Sequence, residues 1–159
     1  MLHKIIISLV CFQCCSFSYA FEVERSCWVE AGLRYSINPA LLVAIAQQES
    51  SLNPEAINVS NRNGSRDIGL MQINSLWFKR LKAHGITETD LYDPCLNIHI
   101  GAWILAQQIE IFGNTWEAVG AYNAGVAKNL KRDELRTKYA NSVYRRYVVL
   151  IDSGIGWWN

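Results

Sequence analysis

The feature of this sequence that most constrains its fold is a helix with a carboxylic acid on its apolar face. Asn38 and Pro39 form a helix start, because Asn caps a first turn and Pro fits the first helical position. Leu41, Ile45 and Glu49 then share one face, which predicts that the acid packs inward. Apolar surroundings and the negative helix end both predict a raised pKa for this carboxyl. Such an acid can donate a proton near neutral pH, although an acid at a helix end can also tilt out to solvent.

Residues 1–20 have the pattern of a secretory signal. A short basic start precedes an apolar run from 5 to 12, and small residues precede a predicted cut after Ala20. The run is too short to span a bilayer, which argues against a membrane anchor. We therefore predict an exported protein located in the periplasm.

The mature chain is long enough for one domain with a core. Of the 159 residues, 139 remain after the predicted cut. No internal repeat, linker or low-complexity stretch divides them. We predict one domain over residues 21–153 and a short tail over residues 154–159, which carries Trp157 and Trp158.

Two of the five cysteines, Cys27 and Cys95, remain in the mature chain. An even count in an oxidising compartment favours a disulfide between them, although two separate buried thiols would also fit. The bridge would tie the first helix to a distant one. The sequence has no CxxC motif or Cys/His cluster, so we expect no metal and no cofactor.

The charge of the mature chain says little about its partners, and nothing in it resembles the basic face of a nucleic-acid binder. With Lys4 removed, 14 Lys and Arg residues face 14 Asp and Glu residues, which gives a formal net charge of zero. Local basic clusters such as Arg145-Arg146 are explained by a solvated helix face, and no basic surface stripe is evident.

The remaining pattern predicts a mainly α domain with one small β-hairpin. The predicted helices cover 22–35, the segment from Pro39 to near Ser51, 75–83, the segment from Asp93-Pro94 to Phe112, 114–121 and 133–151. Between the second and third helices, the dipeptide Asn63-Gly64 lies in a polar stretch and favours a hairpin turn.

Asp67 is a second carboxylate, and it follows the predicted turn. It lies eighteen residues beyond Glu49, on a segment that should fold back towards that acid. Polar neighbours predict that Asp67 is hydrated and stays ionised. One neutral donor and one anion are what cleavage of a glycosidic bond requires. A surface Asp in a hairpin is the other interpretation of this residue.

Three ordered motifs resemble those of the soluble lytic transglycosylase domain. They are Glu49-Ser50, Gly69-Leu70-Met71-Gln72-Ile73 and Ala121-Tyr122-Asn123-Ala124-Gly125, with a looser match at Arg136-Thr137-Lys138-Tyr139-Ala140 and Val143. The resemblance covers about residues 25–150 and implies a lysozyme-like α+β fold. The whole chain is most similar to the small transglycosylases that accompany type III secretion systems, and related small enzymes serve conjugation and type IV systems.

The resemblance implies a role for each matched residue. Glu49 would protonate the glycosidic oxygen between N-acetylmuramic acid and N-acetylglucosamine. It would then act as a base towards the 6-hydroxyl of the same muramyl sugar, which gives a 1,6-anhydro end without consuming water. Tyr139 would orient the acid. The implied substrate-binding set is Ser50, Met71, Gln72, Tyr122, Asn123 and Tyr139.

Asp67 departs from the transglycosylase pattern, in which one catalytic carboxylate is usual. The segment from Asp67 to Ser75 is also similar to the Asp-x-Gly-x-x-Gln-Ile-Asn-Ser segment of c-type lysozymes. This favours a hybrid site, with Glu49 as acid and base and Asp67 either steadying positive charge at the anomeric carbon or holding the acetamido group. A hydrolytic muramidase and a non-catalytic, wall-binding scaffold are the alternatives.

The resemblance also implies the partners of the protein. They are peptidoglycan glycan strands and, as a candidate second partner, a rod or needle component of a type III apparatus. We expect a monomer that does not insert stably into a membrane.

Overall fold

The computed structural model describes residues 26–154 of the chain. The predicted signal peptide, residues 1–20, lies outside the described residues, and so do both tryptophans of the predicted tail. Within the described range, no helix is both long and apolar enough to cross a membrane.

The described part of the chain is mostly helical, as predicted. The helices are α1 (residues 26–35), α2 (Pro39–Glu49), α3 (Phe78–Lys82), α4 (Pro94–Phe112), α5 (Trp116–Ala124) and α6 (Leu130–Asp152). Short 3-10 helices at Ser75–Trp77 and Thr89–Tyr92 precede α3 and α4, and the second of them was not predicted. The predicted fold class is confirmed.

The capping residues account for where two helices begin. The Asn38 side chain accepts a hydrogen bond from the Ala40 backbone N at 2.9 Å, and α2 has its Pro in the first turn. The Asp93 carboxylate accepts from the Leu96 N at 2.7 Å in the same way at the start of α4. The predicted bounds of α4 are therefore confirmed.

Other helix ends differ from the prediction. The second helix ends at Glu49 rather than near Ser51, because Ser51 and Leu52 both adopt left-handed φ angles of 56° and 64°. Helix α5 continues to Ala124, three residues beyond the predicted end, and α6 begins at Leu130 rather than at 133. The polar side chain of Asn129 caps that earlier start by accepting from the Arg132 N at 3.0 Å.

The predicted hairpin is part of a three-stranded antiparallel sheet. Its strands are β1 (Ile57–Asn58), β2 (Asp67–Ile68) and β3 (Ile73–Asn74), in the order β1-β2-β3. The turn between β1 and β2 contains Gly64, whose N donates to the Asn61 O at 2.9 Å. In this register Asp67 lies opposite Asn58 on one side and Asn74 on the other.

Helix α2 packs on α6 and α4, and buried apolar side chains of these helices, of the sheet with its β2–β3 loop and of the second 3-10 helix form the core. Its largest members are fully buried: Leu42, Ile45, Ile68, Leu70, Met71, Ile73, Leu91, Ile98, Leu105 and Val143. Burying a side chain of this size contributes roughly 1.5–3 kcal/mol. The core therefore fixes the position of α2 and of the acid at its last residue.

A disulfide joins Cys27 in α1 to Cys95 in the first turn of α4, with an S–S distance of 2.02 Å. The two cysteines are 68 residues apart in the chain. The bridge therefore fastens α1 to α4, the helix on which the loop between β2 and β3 packs.

Candidate active site

A cleft of about 600 Å³ opens between the sheet and the helices. It brings together side chains from the end of α2, the sheet, α4, α5 and the start of α6. Five of the residues predicted from sequence line it: Glu49, Asp67, Gln72, Tyr122 and Asn123. The two carboxyl groups therefore share one cleft, although 18 positions separate them in the chain.

Glu49 is the last residue of α2 and is half-buried in the cleft wall. Burial raises the pKa of its carboxyl from 4.5 to about 7, because desolvation disfavours the charged form. The hydroxyl of Tyr139 donates to Glu49 Oε1 at 2.5 Å and opposes this rise, whereas the negative charge of Asp67 adds to it. A carboxyl with these properties is partly protonated at neutral pH.

The Tyr139 hydroxyl engages one of the two carboxyl oxygens of Glu49. Burial, followed by the nearby charge of Glu49, raises the pKa of Tyr139 well above 10, so this side chain remains a phenol that donates. Because Oε1 is engaged by that hydroxyl, Oε2 is the oxygen of Glu49 that is left free. No described residue hydrogen-bonds to Oε2, which leaves this oxygen available to a substrate.

Asp67 is held by three amide groups. Its Oδ2 accepts from Asn58 Nδ2 at 3.0 Å and from Asn61 Nδ2 at 2.8 Å, and its Oδ1 accepts from Asn74 Nδ2 at 2.6 Å. Two of these donors are its cross-strand neighbours, so the pairing of the sheet creates the arrangement. Three such hydrogen bonds fix the orientation of the carboxylate.

Ser65 braces two of the three amides. Its hydroxyl oxygen accepts from Asn61 Nδ2 at 3.1 Å and from Asn74 Nδ2 at 3.0 Å, and its hydrogen is donated to Asn63 Oδ1 at 2.7 Å. Ser65 is itself buried. The orientation of both amides is therefore fixed by the loop as well as by Asp67.

Three residues of the predicted substrate-binding set lie outside the cleft lining. Met71 is fully buried in the core, and its backbone O accepts the Tyr122 hydroxyl at 2.8 Å. Ser50 donates its hydroxyl to the Leu70 O at 2.8 Å and thereby joins the end of α2 to the central loop. Tyr139 is also buried, and its contact with the site is through Glu49. These residues position the site rather than line it.

The loop between β2 and β3 contains an unusual backbone at Gln72. Its φ angle is 48°, a left-handed conformation that costs free energy for a residue with a side chain. The amide nitrogen of Gln72 donates to the Gly69 O at 3.0 Å and to the Ala56 O at 3.2 Å, which stabilises this conformation. The amide oxygen has no described partner and belongs to a side chain that lines the cleft.

Asn97 is the residue on which the same loop rests, and sequence reasoning missed it. It is fully buried in α4, accepts from the Met71 N at 2.8 Å, and donates to the Ile68 O at 3.0 Å and the Leu91 O at 2.7 Å. Gly69 passes so close that a Cβ there would lie 2.2 Å from Asn97 Nδ2. Its φ of 78° requires glycine as well.

Sequence reasoning also missed much of the remaining cleft lining. The missed side chains include Asn61, Arg62, Ser65, Asn74, Trp77, Gln108 and Arg132. Trp77 packs edge-on against Trp103, with ring centroids 5.3 Å apart. Among residues 26–154, no group of three or more His, Cys, Asp or Glu side chains is placed to hold a metal ion.

Comparison with known proteins gives consistent matches. The profile of the family described as Transglycosylase SLT domain matches residues 26–144. Invasion protein IagB of Salmonella typhimurium (strain SL1344) is 50% identical over 122 residues, which are 76% of this chain and 74% of that protein. Protein IpgF of Shigella flexneri is 49% identical over 126 residues, 79% of this chain and 81% of that protein.

A solved structure matches as well. The crystal structure of an inactive mutant of lytic transglycosylase Slt from Pseudomonas aeruginosa superposes with a TM-score of 0.61 at 26% sequence identity. The match covers 79% of this chain and 23% of that chain. The likeness to Slt is therefore one to a part of the larger protein.

A helical domain with a small sheet, and a cleft that carries a protonatable glutamate, define a lysozyme-like enzyme that cleaves glycans. The chain belongs to the Transglycosylase SLT domain family, and its enzyme class is that of the peptidoglycan lytic transglycosylases.

Proposed function

We propose that the protein cleaves the β-1,4 bond between N-acetylmuramic acid and N-acetylglucosamine and leaves a 1,6-anhydromuramyl end. The observation that carries the proposal is the Glu49 carboxyl, with its pKa raised to about 7, in a cleft that also contains Asp67. A neutral acid in such a cleft can protonate a leaving sugar oxygen near physiological pH.

The reaction needs one proton donor that later becomes a proton acceptor. Glu49 Oε2 gives its proton to the glycosidic oxygen, and the bond from that oxygen to the anomeric carbon breaks with its electron pair going to the leaving sugar. The 6-hydroxyl oxygen of the muramyl sugar then attacks the anomeric carbon. Its proton passes to the Glu49 carboxylate, so the enzyme returns to its starting state and no water is consumed.

Asp67 has a proposed role in the same step. The anomeric carbon develops positive charge as the bond breaks, and a fixed anion stabilises that charge without reorganising. Three amide donors hold the Asp67 carboxylate in one orientation, which supports this role. The same pair of carboxyls also supports the alternative function, a muramidase in which water attacks the anomeric carbon.

The remaining proposed roles follow from the cleft lining. Gln72, Tyr122 and Asn123 present amide and ring groups that suit acetamido sugars. We assign Ser50, Met71 and Tyr139 supporting roles, since each acts on the site through another residue.

The biological role is proposed as local opening of the cell wall for a secretion apparatus of type III. Support comes from the relative that carries the name invasion protein, at 50% identity, and from the motif resemblance. The role requires export, with cleavage after Ala20 and residues 21–153 as the periplasmic domain. Sequencing the amino terminus of the protein recovered from the periplasm tests this part separately.

Mass spectrometry of purified cell walls digested by the mature protein tests the chemistry. The proposed reaction gives muropeptides lighter by one water than those of hydrolysis, whereas a muramidase gives the hydrated products. Glu49→Gln should lower product release by about 10²–10⁴-fold, the usual contribution of a positioned acid. Glu55→Gln is the matched control, since this exposed acid does not line the cleft.

Three results would overturn the proposal. Hydrated products alone would establish the muramidase, and full activity of Glu49→Gln would remove Glu49 as the acid. A wall-binding scaffold would bind the walls but release neither anhydro nor hydrated products.

A further inference from the structure

Two arginines line the same cleft as the carboxyl pair. Arg62 comes from the loop between β1 and β2, and Arg132 comes from the first turn of α6. Both side chains are exposed to solvent. The proposed acid–base chemistry assigns no role to either arginine. An uncharged amino sugar backbone would not require two cations in the cleft.

The described residues do not neutralise these two arginines. Within residues 26–154 the ion pairs use other arginines, Arg66 with Glu88 and Arg136 with Asp133 and Glu117. Of the two acids that line the cleft, Asp67 has both carboxylate oxygens engaged by asparagine amides, and Glu49 is hydrogen-bonded to Tyr139. Two guanidinium groups are therefore left to face the space that a substrate would fill.

Arg132 is also held in place. Its Nη1 donates to the Ala124 O at the end of α5 at 2.9 Å, and the described residues engage none of its other N–H groups. A guanidinium anchored through one nitrogen is preorganised to offer the others as a fork, the geometry that fits a carboxylate. Arg62 has no described partner and supplies the same group from a loop.

We propose that Arg62 and Arg132 bind carboxylates carried on the lactyl arms of the muramyl sugars, and so make the cleft specific for carboxylate-bearing glycan. The inference rests on the proposed function, because it concerns the substrate of the same cleft. The carboxylate has two chemical sources. A peptide-bearing arm offers the carboxylates of its stem peptide, and an arm without peptide offers the lactyl carboxylate itself.

Binding to the mature Glu49→Gln protein tests the proposal without turnover. Three soluble ligands of equal sugar number are compared by calorimetry: a chitooligosaccharide without carboxylates, a glycan fragment freed of its peptides, and the same fragment bearing peptides. Arg62→Gln and Arg132→Gln are introduced singly and together. Arg132→Lys keeps a charge, and so separates loss of the cation from loss of the fork.

Each single glutamine variant should weaken binding of a carboxylate-bearing fragment about threefold to tenfold, and the double variant should weaken it more. Binding of the neutral ligand should change less than about twofold. A loss seen with the peptide-bearing fragment identifies the stem carboxylates, and a loss confined to the peptide-free fragment identifies the lactyl carboxylate. Rising salt should weaken the same interaction in the parent and have less effect in the double variant.

Arg145→Gln is the matched control, because this exposed arginine of α6 lies outside the cleft lining and bonds to Ser142. It should bind all three ligands as the parent does. Equal losses for the neutral and the carboxylate-bearing ligands, or no loss in the double variant, would overturn the inference. Such a result leaves the anhydro products of the active enzyme unaffected, so it is distinguishable from failure of the proposed function.

Discussion

Tyr139 in α6 and Glu49 at the end of α2 are joined by a 2.5 Å hydrogen bond across 90 positions of the chain. The phenol donates and the carboxyl accepts, so the bond stabilises the ionised acid while burial disfavours it. The pKa of about 7 is the result of these opposed effects, and each effect can be removed separately.

Tyr139→Phe removes the opposing effect and should raise the pKa of Glu49 above that of the parent. Activity requires the protonated acid, so the parent loses kcat/KM as the pH rises through about 7. In the variant this decline should move to higher pH, with the maximal rate lowered roughly threefold to tenfold as the acid loses its orientation. Kinetics on cell walls between pH 5 and 9, with Tyr144→Phe as an exposed control in α6, measure both. If the decline of kcat/KM stayed at the same pH in Tyr139→Phe, the role of Tyr139 in setting the pKa of Glu49 would be contradicted.

The raised pKa of Glu49 also makes stability depend on pH. Between its ordinary value of 4.5 and about 7, the folded protein holds a proton that the unfolded chain releases. Stability therefore falls as the pH rises through this window, by up to about 3 kcal/mol for the full shift.

Glu49→Gln has no such titration, so its stability relative to the parent should grow from pH 4.5 to pH 7 and then level off. Urea unfolding of both proteins across this range measures the difference, in which the other titrating groups cancel. A difference that is constant with pH would mean that the acid is already ionised in the folded protein.

Asp67→Asn should lower kcat/KM by about 10- to 100-fold, because the developing positive charge loses its fixed anion. Assays of muropeptide release, with thermal melts to verify folding, measure the effect. Asp152→Asn, at the exposed end of α6, is the control. Parental activity in a folded Asp67→Asn protein would remove Asp67 from the mechanism.

Asn97→Ala should destabilise the domain by about 2–4 kcal/mol, because the loss of three buried hydrogen bonds leaves backbone groups unsatisfied. Chemical denaturation measures the change, and Asn141→Ala on the exposed side of α6 should change little. A loss below about 1 kcal/mol would show that the loop of Gly69 does not depend on this side chain.

Reduction of the disulfide should cost about 3–4 kcal/mol, because a 68-residue separation leaves a long loop to be restrained in the unfolded chain. Unfolding of the mature protein with and without reductant measures this cost. The double variant Cys27→Ala, Cys95→Ala should respond equally in both conditions. The prediction would be contradicted if the parent protein had the same free energy of unfolding with and without reductant although its thiols were shown to be free in the reductant.

Local signals in the sequence predicted a good part of the fold. Asn38 with Pro39, and Asp93 with Pro94, mark helix starts by residue type alone, and both were correct. The true end of α2 depends on the left-handed backbone of Ser51 and Leu52. Neither residue is a glycine, so the sequence does not mark this helix end. Such a helix end is decided by the packing of the loop that follows and cannot be predicted from propensity.

The site was predicted only where a motif or a periodic pattern marked it. Glu49 could be found from the helix face, whereas Asn58 and Asn61 lie in a polar stretch that looks like an ordinary turn. They become hydrogen-bond donors to Asp67 only when β1 pairs with β2. Their role therefore depends on the register of the sheet. Met71 illustrates the opposite case, since its motif position is matched but its side chain lies in the core.

The disulfide of α4 lies on the same helical turn as the support for the cleft, because Cys95 precedes Asn97 by two residues. In a reducing compartment that turn is held by packing and hydrogen bonds alone. Oxidation adds a covalent bond two residues from Asn97, the side chain that supports the loop between β2 and β3. A chain in which this disulfide has not yet formed therefore lacks one of the constraints that hold the cleft in place.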